Sequence, residues 1–527
     1  MLFNSYIFIF AFLPITFISY FLLAKYRNGE AAITFLVLAS LFFYGWWNPI
    51  YLLLMLLSIG VNYLIGESIV RYRAVHNIHK TKLLLTIGIV FNLGLLGYFK
   101  YANFIFENTN LLLGFNIPIN EIVLPLAISF FTFQQVAYLI DAYKGITEEF
   151  KFSHYVLFVT FFPQLIAGPI VHHKEMLPQF MQLDNMQPRL DNIIIGANIF
   201  ALGLFKKVVL ADGVAQYASP VFNAAVAGEP MSFFVAWGGA LAYTLQLYFD
   251  FSGYSDMAIG IARMFGIKLP LNFASPYKSL NIVEFWRRWH MTLSRFLRDY
   301  VYFGLGGNRK GNTRRYINLF ATMLLGGLWH GAGWTFIFWG ALHGCYLIIN
   351  HAWHYISRKA KLGFLSTQAV WQAFCWLLTF ISVVNAWVFF RATTFDSAVE
   401  ILKGMYGFNG IAMPNAILAR LGSLADTLLE LGISSYIGGG SQFIFTYLWV
   451  IFLLIVVIFM PNTQQIMRSF GGYNHTLEQG TAAFDKGVFP KLLTFRFSAF
   501  WAVIMASALV IAVFGLTRVS EFLYFQF

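Results

Sequence analysis

The chain has 527 residues, 59% of them hydrophobic and 11% charged, against about 25% charged in a typical soluble protein. That composition excludes a soluble globular protein, and no long polar linker divides the chain, so it reads as a single integral-membrane domain over residues 1–527. The formal net charge of +12 sits in short loops between apolar stretches, which is the pattern of a cytoplasmic face against anionic lipid. No nucleic-acid motif accompanies it, so the lipid bilayer is the expected partner and nucleic acid is not.

Apolar stretches of about 20 residues are each long enough to cross a bilayer core. In chain order the candidates are 5–23, 31–46, 49–66, 84–98, 121–140, 154–170, 191–210, 231–249, 316–329, 333–350, 369–390, 443–460 and 496–516. They predict an all-α polytopic fold of about 10–13 transmembrane or re-entrant helices. The first stretch, Ser5 to Leu23, has no basic segment before it and no small-residue cleavage site after it, so it is expected to be a retained helix. Lys25 and Arg27, then Arg71, Arg73, Lys80 and Lys82, follow the first and third stretches. Both loops are predicted to be cytoplasmic, which puts the N-terminus outside. Pro125, Pro163 and Pro169 lie in or beside apolar runs, and broken helices at membrane depth are tolerated where they are buried in protein or line a cavity.

Segment 250–315 differs from its neighbours. It mixes aromatics with Asp250, Asp256, Glu284, Arg287, Arg288, Arg295, Arg298 and Asp299, too polar for a lipid-facing helix and too aromatic for a solvated loop. Short interfacial or re-entrant helices are expected there. Asp250 and Asp256 bracket FSGYS, and pairing with nearby arginines in a structural role is the expected fate of both. Segment 404–442, with GISSYIGGGSQ, reads as loop or interfacial structure. The two cysteines, Cys345 and Cys375, lie in apolar surroundings. They are expected to be small buried core residues, with neither a disulfide framework nor metal-ligand spacing.

Two histidines carry the chemistry of interest. His330 lies in LLGGLWHGAGWTFIFWGALHG (Leu324 to Gly344), where the only other titratable group is His343. An ionisable side chain at membrane depth is costly and is therefore a functional candidate. As a helix, this run places Gly326, Gly327, Gly333 and Trp334 on the face of His330, and small residues let another helix or a ligand come close. Imidazole suits removal of a hydroxyl proton near neutral pH, the step that acyl transfer to an alcohol requires. A histidine hydrogen-bonded between helices for packing alone explains the same residues, and from them both readings stay open. His290 ends EFWRRWH, with Trp286 and Trp289 close on one helical side and Ser294 one turn on. It is a candidate second acid–base group, although the residues alone favour an amphipathic interfacial helix with a tryptophan belt and snorkelling arginines.

Arg287, Arg288, Arg295 and Arg298, with GGNRKGNTRR (Gly306 to Arg315), could grip the phosphates of a coenzyme A thioester, because the guanidinium fork and glycine-exposed amides suit such groups. For Arg309, Lys310, Arg314 and Arg315 an ordinary cytoplasmic loop is the stronger reading. His172, His173, His351 and His354 form neither HExxH nor a Cys/His cluster, so no metal site is expected. Walker A, Rossmann and GxSxG patterns are likewise absent from the sequence.

These residues resemble the membrane-bound O-acyltransferase (MBOAT) family, closest to its alginate O-acetyltransferase (AlgI-like) branch, with the teichoic-acid D-alanyl transferases (DltB) as more distant relatives. The stretches that carry the resemblance are FKYANF (99–104), LPLAISFFTFQ (124–134), FPQLIAGPIV (162–171), AYTLQLYFDFSGYSDMAIG (242–260), 272–311, 324–344, VVNAWVFFRA (383–392) and the terminal FLYFQF. The core motifs fall in 242–344. The resemblance implies a fold around a central funnel, with His330 as the essential histidine and His290 as the second, more variable site position. Trp329, Trp334 and the arginines 287, 288 and 295 would then shape the site and hold the donor. It further implies a bacterial inner-membrane protein that takes an acyl group, most naturally acetyl from acetyl-CoA, from a cytoplasmic thioester, with no tightly bound cofactor. The acceptor would be hydroxyls of an exported or cell-surface polysaccharide such as alginate, reached directly or through a periplasmic acetyltransferase partner of the AlgJ/AlgX/AlgF or PatB type. Peptidoglycan O-acetylation, teichoic-acid D-alanylation and a transporter or flippase are the alternatives; residues 404–495 hold no motif that decides the polymer.

Overall fold

The computed structural model describes residues 1–115, 117, 122–147, 151–470, 493–517 and 523. The terminal FLYFQF, apart from Leu523, and the greater part of 470–495 lie outside them. The described chain is almost entirely helical; its β-structure is one short parallel ladder pairing Ala412–Pro414 with Ser434–Tyr436. That ladder, with the helix Ser423–Glu430, fills the segment expected to be irregular.

Among the described residues six helices are long and apolar enough to cross a membrane: Phe8–Tyr26, Pro49–Ala74, Ile78–Leu113, Leu190–Val226, Ala369–Arg391 and Gly440–Phe459. Gly29–Gly45 and Ala499–Gly515 are apolar but shorter. The predicted stretches fall largely on helix, although 122–127 is non-helical ahead of the helix Ile128–Lys144, and several helices outrun the apolar window that announced them. The stretch 154–170 instead breaks: a helix over Phe152–Thr160 gives way at Phe161 to the short helix Phe162–Leu165, with Pro163 in its first turn. Proline cannot donate to the preceding turn, so a new helix starts there.

The polar segment corrects two expectations. Residues 250–264 do not form a separate interfacial element, because Phe233–Met264 is one continuous helix. The polarity is absorbed within the protein: Lys207, 1% exposed, makes an ion pair with Asp250 and lies 2.8 Å from Asp212. Asp256 takes Lys206 at 2.8 Å and hydroxyl and amide donors from Thr463 and Gln464. The partners are lysines of a neighbouring helix, not arginines of the same block. A buried carboxylate persists only when paired, and composition does not reveal a partner 43 or more residues away. The later part does break into short helices, Ile282–Arg288 and Met291–Phe296, the second running into a wider π-turn over Leu297–Tyr302.

Two close helix pairs form the frame. The helix Leu190–Phe205 runs against Phe233–Met264 with Gly196 opposite Gly260 and Gly203 opposite Gly253; an added Cβ at any of these would meet the opposing backbone within 2.7 Å. Gly311–His330 and Trp334–Lys359 form an antiparallel hairpin in which Gly327 meets Gly340 backbone to backbone. Small residues allow this approach, and packing contacts then replace a hydrophobic drive that lipid does not supply. A polar clamp joins three further helices: Asn62 and Asn92 exchange side-chain amide hydrogen bonds, and Gln135 donates to Ser58.

Cys345 is exposed and Cys375 half-buried, which corrects the expectation that both are core residues. Apolar neighbours on a membrane helix mark a lipid-facing surface as readily as a protein interior.

Candidate active site

The helix Gly311–His330 ends at His330, and the extended residues Gly331 and Gly333 lead into the next helix. Gly333 and Trp334 therefore do not share a helical face with His330, as one continuous helix would have required. Trp334 is 60% exposed and donates its indole N–H to Asn108, so it stands apart from the imidazole. Trp329 does pack on His330, with ring centres 4.8 Å apart, and Trp339 and Phe390 each lie 5.1 Å away. Within this aromatic box His330 is 7% exposed, and what remains open faces a cavity. Among the described residues no hydrogen bond to its ring is present, unlike a histidine that tethers two helices.

His290 is fully buried, with its ring centre 6.4 Å from that of His330. The interfacial-helix reading fails here, because Trp286 and Trp289 are buried as well. The helix Ile282–Arg288 stops before His290, whose φ of 43° is left-handed. A non-glycine residue held there costs about 1–3 kcal/mol and persists only where surrounding contacts enforce it. Those contacts are visible. His290 Nδ1 donates to Asn272 Oδ1 at 3.0 Å, and the same oxygen accepts the Thr292 hydroxyl at 2.9 Å. The amide oxygen can only accept, so Nδ1 carries the hydrogen and Nε2 the lone pair.

The cavity has a volume of about 420 Å³. Its walls are Trp47, Lys100, residues 123–130, Ile166, Trp329 and His330. Ala127, at a left-handed φ of 59°, turns the chain along one wall into the helix Ile128–Lys144. Trp47, Val123 and Pro125 belong to the end of the molecule opposite Arg27, Arg73 and Lys144, since the helices Gly29–Gly45, Pro49–Ala74 and Ile128–Lys144 run between the two.

The predicted donor arginines do not converge on this cavity. Arg288 is buried against Glu284 at 2.8 Å and the Ala274 carbonyl. Arg295 makes a two-pronged pair with Glu175 at 2.7 and 3.0 Å, and Arg287 is exposed. Arg298 pairs with its neighbour Asp299 at 2.7 Å. Close by, Tyr300 donates to Asp141 and contacts His172 Nδ1 at 3.2 Å, while His173 reaches Thr147 at 2.9 Å. Burial pushes the pKa of both histidines down to about 4. His343 is also buried; it accepts the Trp286 indole N–H at 3.2 Å and belongs to the packing behind Trp339. Among the described residues no group of three or more His, Cys, Asp or Glu side chains is placed to hold a metal.

Lys100 was not singled out from the sequence, although it lies in FKYANF. It reaches the carbonyls of both Trp329 and His330 from the helix Ile78–Leu113. A lone lysine at the end of an apolar run was the available signal, and nothing in sequence ties it to a site 230 residues on.

A model of the membrane-bound O-acyltransferase family matches residues 82–386. The chain is 48% identical over 439 residues to a peptidoglycan O-acetyltransferase of Helicobacter pylori, covering 78% of this chain and 81% of that protein. It is 42% identical over 420 residues to a probable alginate O-acetylase, AlgI, of Pseudomonas aeruginosa, covering 77% and 75%. A teichoic acid D-alanyltransferase of Streptococcus thermophilus matches at 32% over 244 residues, covering 45% and 58%.

Proposed function

Because this chain belongs to the membrane-bound O-acyltransferase family, and is a multi-pass membrane O-acyltransferase, we propose that it transfers acetyl from a cytoplasmic thioester, acetyl-CoA, to hydroxyls of a glycan beyond the inner membrane. The observation that carries this reading is a buried imidazole, His330, with no hydrogen-bond partner among the described residues, facing a cavity beside a second buried imidazole.

In this reading His330 takes the proton from the attacking hydroxyl. The oxygen adds to the thioester carbonyl, the C–S bond breaks, and the imidazolium returns the proton to the departing thiolate. General-base assistance of this kind contributes about 10²–10⁴ in rate, and the aromatic box that holds the ring supplies the orientation on which the rest depends. His290, fixed in one tautomer by Asn272, shapes the site next to it. Trp329 forms part of the cavity wall. Arg288 and Arg295 are held by the carboxylates of Glu284 and Glu175 in the surrounding fold. By the positive-inside rule the cavity lies toward the non-cytoplasmic face, the side an exported acceptor approaches. Peptidoglycan is the first acceptor to examine and alginate the second, given the relatives. Relay through a periplasmic acetyltransferase is compatible with the same chemistry, since a protein hydroxyl is activated in the same way.

The test uses sealed membrane vesicles carrying the full chain, supplied with radiolabelled acetyl-CoA and acceptor glycan. Wild type should deposit alkali-labile label on the acceptor. His330→Ala should deposit none while remaining folded and abundant. Undiminished labelling by His330→Ala would remove the histidine from the mechanism, and passage of glycan without acyl transfer would favour a transporter.

A further inference from the structure

The last turn of the His330 helix has an unusual cap. An α-helix leaves its final four carbonyls without intrahelical partners, and a left-handed glycine commonly closes the gap. Here Gly331 and Gly333 are extended, with φ of −160° and −164°, so that device is absent. The carbonyls find other donors. Gly327 O accepts from Gly331 N at 3.4 Å. Leu328 O accepts the Tyr101 hydroxyl at 2.8 Å, Trp329 O accepts Lys100 Nζ, and His330 O accepts from the same Nζ at 3.3 Å. Two consecutive residues of a distant helix thus complete the turn that presents the imidazole.

The local structure explains the reach. Gly97–Tyr101 is a π-turn inside the helix Ile78–Leu113. The wider turn shifts the positions of the residues beyond it, and such turns are frequent at functional sites. Lys100 also reaches Ser129 Oγ at 3.4 Å and lies 5.9 Å from the centre of the Trp329 ring. Among the described residues no carboxylate comes within 4 Å of it. A lysine amino group placed in apolar surroundings without a carboxylate needs hydrogen-bond acceptors, and the open carbonyls at a helix C-terminus supply them. Packing alone would be served as well by an apolar side chain.

We propose that Lys100 and Tyr101 are positioning residues for acyl transfer: together they cap the His330 helix from outside and hold the imidazole in its reactive place on the cavity wall. The proposal rests on the acyl-transfer reading of His330. A misplacement of about 1 Å at a reacting group costs on the order of 10²-fold in rate, so loss of the cap should appear in turnover and not in donor binding.

The experiment measures kcat and KM for acetyl-CoA, together with thermal unfolding, in purified full-length Lys100→Met, Tyr101→Phe and His330→Ala. The expected result is a fall of about tenfold or more in kcat for Lys100→Met and a several-fold fall for Tyr101→Phe. KM should stay within about twofold and the melting temperature should be near that of wild type. A wild-type kcat in folded Lys100→Met, or a loss carried wholly by KM, overturns the proposal. Should Lys100→Met fail to fold, Tyr101→Phe decides: reduced kcat supports the cap and unchanged kcat overturns it. Turnover by His330→Ala would instead overturn the acyl-transfer reading itself, so the two failures are distinguishable.

Discussion

At the scale of single residues, cost was the readable signal. His330 stood out because an imidazole in apolar sequence needs a reason, and the structure brings the ring of His290, the candidate from the polar WRRWH block, within 6.4 Å of it. What sequence did not disclose was the partner of each polar group. The Arg288–Glu284 pair follows from i,i+4 spacing, but Arg295 finds Glu175, 120 residues back, and Lys100 finds the end of the His330 helix. The strained turn at His290 yields a prediction at this scale. Asn272→Ala deletes the acceptor shared by His290 Nδ1 and the Thr292 hydroxyl. Leaving such buried donors unpaired costs about 1–3 kcal/mol, so the melting temperature and the acyl-transfer rate should fall together. Unchanged values of both would show that the turn is held by other contacts.

At the scale of elements, the apolar period located the helices, but polarity at membrane depth hid one continuation. Asp250 and Asp256 made 250–264 look unlike a span, yet the helix runs through because Lys206 and Lys207 wait on its neighbour. Removing one member of such a buried pair leaves a stranded charge and costs about 3–5 kcal/mol. Lys207→Met should therefore sharply reduce the yield of monodisperse protein in detergent chromatography, with Asp250→Asn in the same chain restoring part of it. Beside Tyr300 and Asp141, His172 and His173 predict a pH response. Their pKa values are held near 4 in the folded chain and rise to about 6.5 when exposed. The unfolded form then binds more protons, so stability is complete above about pH 6.5 and falls as pH drops toward 4. Thermal midpoints in detergent should decline across that window, and the slope should lessen in His172→Gln; a flat profile would contradict the assignment.

At the scale of the whole molecule, lipid changes what exposure means. Cys345 and many large apolar side chains are exposed, so in this protein apolar neighbours do not mark a core position, and apolar context alone placed the cysteine wrongly in the core. The helical membrane fold was legible from composition. The cavity was not, since its wall gathers Trp47, Lys100, residues 123–130, Ile166 and the Trp329–His330 pair from five separate parts of the chain. If His330 drives acylation of a surface glycan as proposed, mass spectrometry of cell-wall and exported polysaccharides reads its product. Cells lacking the chromosomal copy would be compared after complementation with wild type or with His330→Ala at equal protein level. O-acetyl esters should appear on one glycan fraction with wild type and be missing with the variant; identical ester content in the two would remove His330 from the reaction.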